Sequence, residues 1–252
     1  MSTAPKKVAL ITGAGSGIGA AIAERLAREG YRVAVNYVAS PDAVETVVRD
    51  IEQAGGEAFA VKADMAEENE ILAMFEAVGR RFGRLDALVN NAGIVDRKAR
   101  VDEMDLARFE RMMRINVIGT MLCAREAVKR MSTRHGGKGG AIVNISSIAA
   151  VLGSAGEYVD YAASKAAVDT FTMGLAREVA EEGIRVNAVR PGITDTEIHA
   201  SGGQPDRAQR LSGLIPMKRP GTAEEIARAA LWLLSDEASY STGAILNVSG
   251  GR

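Results

Sequence analysis

Seven short β-branched runs alternate with long amphipathic ones, and that alternation constrains the fold more than any other feature of the chain. "KVALIT", "YRVAVNY", "EAFAVKAD", "LDALVNNAG", "GAIVNISS", "IRVNAVRPG" and "AILNVSGG" read as strands. Between them, "IGAAIAERLAREG" predicts a helix closed by Gly30, and "PDAVETVVRDIEQAG" one closed by Gly55. Further helices are predicted over "EENEILAMFEAVGRRFG" and around 105–133, 158–182 and 222–234. Strands alternating with helices build a parallel sheet covered on both faces. The strands are nearly continuous apolar runs, as burial on both faces requires. Right-handed crossovers then leave a doubly wound α/β sheet as the expected topology. No internal repeat or domain-scale linker interrupts the pattern, so residues 1–252 read as a single domain. Two loops break the rhythm, at 131–140 and 200–221, and the second predicts a lid or substrate loop at about 197–216.

The first strand runs into "TGAGSGIG", where four glycines fall between Gly13 and Gly19 before a helix begins. A helix N-terminus presents unpaired N–H groups and partial positive charge. A diphosphate can settle there only if backbone approaches closely, which a Cβ obstructs. The stretch is not a Walker loop, because no Gly-Lys-Ser/Thr follows. A dinucleotide site also predicts an acid near the end of the second strand, for the adenosine ribose. Tyr37 stands there instead. Without a carboxylate a 2′-phosphate is not repelled, so NADP is favoured and NAD is the alternative. No arginine adjoins the position, which leaves Asn36, Ser40 and the amides of the next helix to hold the phosphate.

"YAASK" places Tyr161 and Lys165 four apart, on one face of a predicted helix. Free tyrosine, with a pKa near ~10, is a poor base at neutral pH. A lysine charge about 5 Å away at an effective dielectric of ~20 stabilises the phenolate by roughly 3 kcal/mol. That is a downward shift of about two pK units, enough for proton exchange with a carbinol or carbonyl oxygen. "NISS" ends the preceding strand, and Ser147 there can hydrogen-bond a substrate oxygen. Taken singly, each residue has a bland reading, such as a turn serine or a chance Tyr-x-x-x-Lys.

Taken together and in order, the motifs resemble the short-chain dehydrogenase/reductase family, in its classical group, from Lys6 to Gly250. They are "TGAGSGIG", Asp64 after the third strand, "NNAG" at 90–93, Asn116 in "INVIGT", "NISS", "YAASK" and "RPGITDTE". The resemblance implies a Rossmann-type fold and hydride transfer between a nicotinamide cofactor and a carbonyl or secondary alcohol. It implies Tyr161 as acid/base and Lys165 lowering its pKa while binding ribose hydroxyls. Ser147 would orient the substrate carbonyl, and Asn116 would hold a water that links Lys165 to a proton relay. Cofactor contacts would come from Gly13, Ser16, Gly17, Ile18, Gly19, Asp64, Met65, Asn91, Ala92, Gly93, Pro191, Gly192, Ile193 and Thr196. Within the family the sequence looks like glucose-1-dehydrogenase-like and 3-oxoacyl-reductase-like members. NADP-dependent members often carry a basic residue in the glycine turn, where Ser16 stands here.

The substrate pocket is expected between "IVDRKAR", "VLGSAGEYVD" and the 197–216 loop. Glu157, Arg97 and His199 would be its polar handles and Leu214 and Met217 its apolar ones. That mixture favours a small polar substrate, such as a sugar, polyol or ketone. A 3-oxoacyl-acyl-carrier-protein reductase is the alternative. Glu181 and Glu182 at the end of the catalytic helix oppose docking of an acidic carrier, while Arg134 and Lys138 favour it. A non-catalytic dinucleotide sensor would have no need of the four catalytic residues together.

A formal net charge of -1 and 4% aromatic residues give no footing for nucleic acid or an anionic membrane. No apolar run reaches transmembrane length and no signal-peptide core opens the chain, so a cytoplasmic protein is expected. Cys123 is the one cysteine, so no internal disulfide forms, and "IGTMLCAREAV" reads as a buried helix face. No Cys/His cluster points to a metal. The Met-rich helices near 105–133 and 158–182 carry more apolar positions than one sheet face needs. With the family's habit of tetramers, they predict a homotetramer.

Overall fold

The computed structural model describes residues 6–252, the side chains of His199 and Ser201 excepted. Its centre is one parallel sheet of seven strands in the order β3-β2-β1-β4-β5-β6-β7. The strands are β1 (Val8–Ile11), β2 (Arg32–Tyr37), β3 (Glu57–Lys62), β4 (Ala87–Asn90), β5 (Gly140–Ile145), β6 (Ile184–Pro191) and β7 (Ile245–Val248). The chain winds outward from β1 to β3, then returns past β1 to β4 and winds the other way. That reversal opens a crevice at the carboxyl ends of β1 and β4, where ligands of such sheets bind.

The long helices are α1 (Gly17–Arg28), α2 (Pro41–Gln53), α3 (Glu68–Phe82), α4 (Leu106–Met113) and α5 (Thr120–Met131). Four-residue turns form α6 (Ala149–Leu152), α8 (Ile198–Ser201) and α9 (Arg207–Arg210), and the remaining long helices are α7 (Val159–Val179) and α10 (Ala223–Leu234). Residues of α1, α2 and α10, among them Ile22, Leu26, Ile51 and Leu233, bury one face of the sheet. Phe75 and Met74 of α3, Cys123 and Met131 of α5, and Ala176 of α7 bury the other. The central strands are buried throughout, whereas the edge strands β3 and β7 are only half-buried, because each has a single neighbour.

The helix expected around 105–133 is one continuous rod with a fault in it. Arg114–Gly119 forms a π-helical turn between α4 and α5. Such turns accommodate one extra residue and re-aim side chains. Here Gly119 lies so close to Met65 that a Cβ would sit 2.5 Å from the Met65 carbonyl oxygen. The thiol of Cys123 is sealed in the core against Met65, and burial, with a contribution from Glu126, pushes it up to about 12.

Two buried ion pairs fix α7. Asp160 receives the Nε and Nη2 of Arg108 at 2.7 and 3.1 Å. Asp169 receives the Nε of Arg190 at 2.8 Å. They bracket Tyr161 and Lys165 along the helix and hold it against α4 and β6. Neither was legible from sequence spacing, since the partners lie 52 and 21 residues apart.

Candidate active site

A cleft of about 740 Å³ runs across the carboxyl ends of the central strands, from the first turn of α1 to Tyr161. Its floor at the α1 end is the glycine turn. Gly13 and Gly17 have φ of +61° and +56°, a region that L side chains rarely adopt. Asn36, buried at the end of β2, holds the turn in place. Its Oδ1 accepts from Gly13 N–H at 3.0 Å, and its Nδ2 donates to the Ala63 carbonyl at 3.0 Å. Gly19 serves packing: a Cβ there would stand 2.5 Å from both Asn91 Nδ2 and the Gly13 carbonyl oxygen. Asn91 in turn donates to the carbonyls of Thr12 and Gly13 at 3.0 and 2.8 Å. The Thr12 hydroxyl accepts from Asn91 and Ala92 N–H, each at 3.0 Å. "TGAG" and "NNAG" are thus laced together.

The first turn of α1 carries no acidic side chain, and the Ser16 hydroxyl at its N-cap makes no capping bond. The helix therefore presents its positive end to the cleft unneutralised. Asp64 caps its own turn, accepting from Ala66 N–H at 2.8 Å, and its second carboxylate oxygen has no donor among the described residues. Of the expected cofactor contacts, Gly13, Ser16, Gly17, Ile18, Asn36, Asp64, Met65, Asn91, Ala92, Gly93, Pro191, Gly192, Ile193 and Thr196 line this single cleft. Gly19, Tyr37 and Ser40 stand outside its wall, and Val38 fills the position beyond β2. Asn36 lines it, but both atoms of its amide are engaged by backbone, so it is a clamp for the turn and no grip for a phosphate. The residues fit a dinucleotide: an open helix end, a glycine turn that admits close approach, and a carboxylate oxygen free for an amino donor.

At the other end, Ser147, Tyr161 and Lys165 line the same cleft. Lys165 is buried, and its Nζ donates to the Ile145 carbonyl at 2.8 Å. The Ser147 hydroxyl caps the short α6 turn, accepting from Ala149 N–H at 3.1 Å. Gly93 makes room behind Lys165: a Cβ would lie 3.3 Å from both Lys165 Nζ and Asn116 Oδ1. Asn116 sits in the π turn, wholly buried and outside the cleft wall. Its Oδ1 accepts from Ile94 N–H at 2.8 Å, and its Nδ2 donates to the Ile94 carbonyl at 3.0 Å and the Ser164 hydroxyl at 3.1 Å. Protein groups therefore engage both atoms of the Asn116 amide.

The electrostatics differ from the expectation drawn from spacing alone. Burial pushes the Tyr161 phenol up, and the Ser147 hydroxyl only partly opposes it. Burial also lowers Lys165 from 10.5 to about 8, with the Asp169 charge pulling the other way. A solvent-screened pair would have shown a lowered tyrosine. Here both groups are desolvated, and burial is the largest cause for each.

The substrate side is lined by Ile94, Val95, Leu152, Glu157, Tyr158, Ile198 and Arg207, with Arg252 also on the wall. Of the expected handles, Glu157 is there. Arg97 is exposed elsewhere, and Leu214 and Met217 point to solvent at 66% and 61% exposure. They lie beyond the segment that α8 and α9 fold down. The His199 side chain lies outside the described residues. Arg207 was missed, because nothing in "QPDRAQR" marks one arginine as inward-facing.

A family profile described as "Enoyl-(Acyl carrier protein) reductase" matches residues 13–252. The uncharacterised oxidoreductase YgfF of Escherichia coli is 55% identical over 245 residues, covering 97% of this chain and 99% of that one. The chain belongs to the short-chain dehydrogenase/reductase family. Glucose 1-dehydrogenase 2 of Bacillus subtilis is a further member of similar build, 40% identical over 97% of this chain and 94% of its own. A short-chain dehydrogenase from Burkholderia cenocepacia, solved in complex with NADP, superposes with a TM-score of 0.89 at 35% identity, covering 97% of each chain. As a short-chain dehydrogenase/reductase, the protein is an NAD(P)-dependent oxidoreductase acting on carbonyl and alcohol groups. Among the described residues, no helix is long and apolar enough to cross a membrane, and no group of three His, Cys, Asp or Glu could hold a metal ion.

Proposed function

We propose that this short-chain dehydrogenase/reductase is an NADP-linked enzyme that interconverts a ketone and a secondary alcohol on a small polar substrate. The observation that carries the reading is the shared cleft: the glycine turn, Ser147, Tyr161 and Lys165 open on one continuous wall. When bound, the nicotinamide supplies or accepts the hydride. Tyr161 gives the substrate oxygen its proton in reduction and takes it in oxidation. Ser147 holds that oxygen by a hydrogen bond, and Lys165, anchored on the Ile145 carbonyl, stabilises the phenolate once the site is charged. Asn116 is a positioning residue that fixes the Ile94 backbone behind the site. The chain acts as one domain, with residues 197–216 forming the substrate loop.

The preference for NADP is supported by the end of β2, where Asn36, Tyr37 and Val38 supply no carboxylate. The exposed Ser40, N-cap of α2, makes no side-chain capping bond. Titration with NADPH and NADH, followed by energy transfer from protein to nicotinamide, tests it. Tighter NADPH binding supports the reading, and tighter NADH binding overturns it.

The matched family profile favours a second reading, reduction of an acyl group on a carrier protein. Docking an acidic carrier needs free basic residues, and Arg134 faces Glu182 at 3.7 Å. A homotetramer in the cytoplasm completes the proposal. The assembly is supported by the exposed Met113, Ile118 and Met121 around the π turn and by Met173 on α7. Light scattering tests the assembly.

A further inference from the structure

The far end of the cleft holds an ion pair built into its wall. Glu157 stands four residues before Tyr161, and Arg207 opens α9. Both line the cleft that Ser147 and Tyr161 share. Arg207 Nη1 donates to Glu157 Oε2 at 2.7 Å, and the guanidinium lies 5.2 Å from the ring centre of Tyr158. The Tyr158 hydroxyl accepts from Gln204. On the other side, Lys98 Nζ stands 3.5 Å from Glu157 Oε1. Beneath the arginine, Ala208 is buried against Ile193 and Ile215, which seats α9 in the wall.

We infer that Glu157 and Arg207 form a recognition subsite for a second hydroxyl group of the substrate, so that the enzyme selects diols, polyols or sugars over simple alcohols. This rests on the oxidoreductase reading above, with the reacting oxygen at Tyr161 and Ser147.

A carboxylate offers about four acceptor positions and a guanidinium five donors. Arg207 gives one hydrogen bond to Glu157, and Glu157 takes that bond and the longer contact from Lys98. Acceptors and donors therefore remain side by side on the cleft wall. A neutral hydroxyl both donates and accepts, so it satisfies the two groups at once. A carboxylate substrate could pair with Arg207 but would meet beside it the Glu157 carboxylate, which burial pushes up and Arg207 and Lys98 bring below its ordinary value. A cationic substrate would meet Arg207. A wholly apolar ring would strip water from both charges and return nothing. A hydroxyl group leaves both Glu157 and Arg207 paired.

The test compares NADP-linked oxidation of cyclohexanol, the cyclohexanediols and 4-hydroxycyclohexanecarboxylate, by kcat/KM. The best diol is expected to exceed cyclohexanol by about tenfold or more, with the carboxylate below cyclohexanol. Glu157→Gln and Arg207→Met should each bring the diol-to-cyclohexanol ratio close to one, chiefly through KM for the diol. Thermal melts and dinucleotide titration establish that each variant is folded. Equal kcat/KM for cyclohexanol and the diols in the parent enzyme would overturn the inference while leaving the oxidoreductase reading intact. So would a ratio unchanged in both variants, which would make the pair a latch for α9 only. Failure to turn over any alcohol or ketone with either dinucleotide would sink the catalytic reading, and the subsite with it.

Discussion

The ammonium of Lys165 lies 5.7 Å from the ring centre of Tyr161, while its hydrogen bond goes to the carbonyl of Ile145 at 2.8 Å. The lysine is thus held by the strand and offered to the tyrosine through space. Burial raises the phenol, which keeps it protonated, and lowers the amine. Positive charge brought into the cleft would lower the phenol again.

Replacing the hydroxyl tests the acid/base role directly. Tyr161→Phe should bind NADPH within about threefold of the parent and lose turnover by about a hundredfold or more. Steady-state kinetics beside a fluorescence titration separates the two. Turnover within about threefold of the parent would show that another group carries the proton.

Lys165 makes stability depend on pH with a definite sign. Its folded pKa of about 8 lies below the ordinary 10.5, so between those values the unfolded chain binds more protons. Stability should therefore rise with pH across that window. The full effect is roughly 3 kcal/mol. Lys165→Met should be more stable than the parent near pH ~7 by about 2 kcal/mol, and the gap should close near pH ~10. Urea unfolding of the cofactor-free protein at both pH values measures it. A gap that widened with pH would contradict the assignment.

Asn36→Asp changes one amide into a carboxylate of the same shape. The oxygen that accepts from Gly13 survives, but the group that donated to Ala63 now faces its carbonyl with negative charge. A loss on the order of 3 kcal/mol is expected, with weaker dinucleotide binding because the glycine turn loosens. Thermal unfolding and NADPH titration give both readings. An unchanged melt would mean that the amide is not the clamp.

Asp160→Ala leaves Arg108 buried without its partner, since their side chains are 2% and 10% exposed. About 3–5 kcal/mol of stability should be lost. The double change of Asp160→Leu with Arg108→Met should recover most of it. Because Asp160 adjoins Tyr161, kcat should fall in the single variant and recover in the double one. Parallel melts and rates decide whether the ion pair only holds the helix or also aims the tyrosine.

The strands and long helices were legible because each carries its own periodicity, and the chemistry was legible because the motifs are local. "TGAGSGIG" and "YAASK" each place their residues within one turn and one helix. What escaped depends on partners distant in sequence. Glu157 meets Arg207 from 50 positions away and Asp160 meets Arg108 from 52. The turns α6, α8 and α9 span four residues each, too few to show a period. Asn36 looked like a phosphate contact because its place on β2 was right, but burial turned its amide toward backbone. Spacing placed Lys165 near Tyr161 but carried no information on desolvation, which pushes the phenol up in this structure.

The π turn at Arg114–Gly119 has a genetic meaning. Such a turn carries one residue more than the α-helical path it replaces, while the helices on either side keep their faces. Losing one residue there would let α4 and α5 fuse into an ordinary rod, with Met112 and Cys123 still directed at the core. Asn116, which reaches the Ile94 backbone from within this turn, is the side chain such a loss would move. The one residue by which the π turn exceeds an α-helical path thus lets a helix that covers the sheet also deliver an amide behind Lys165.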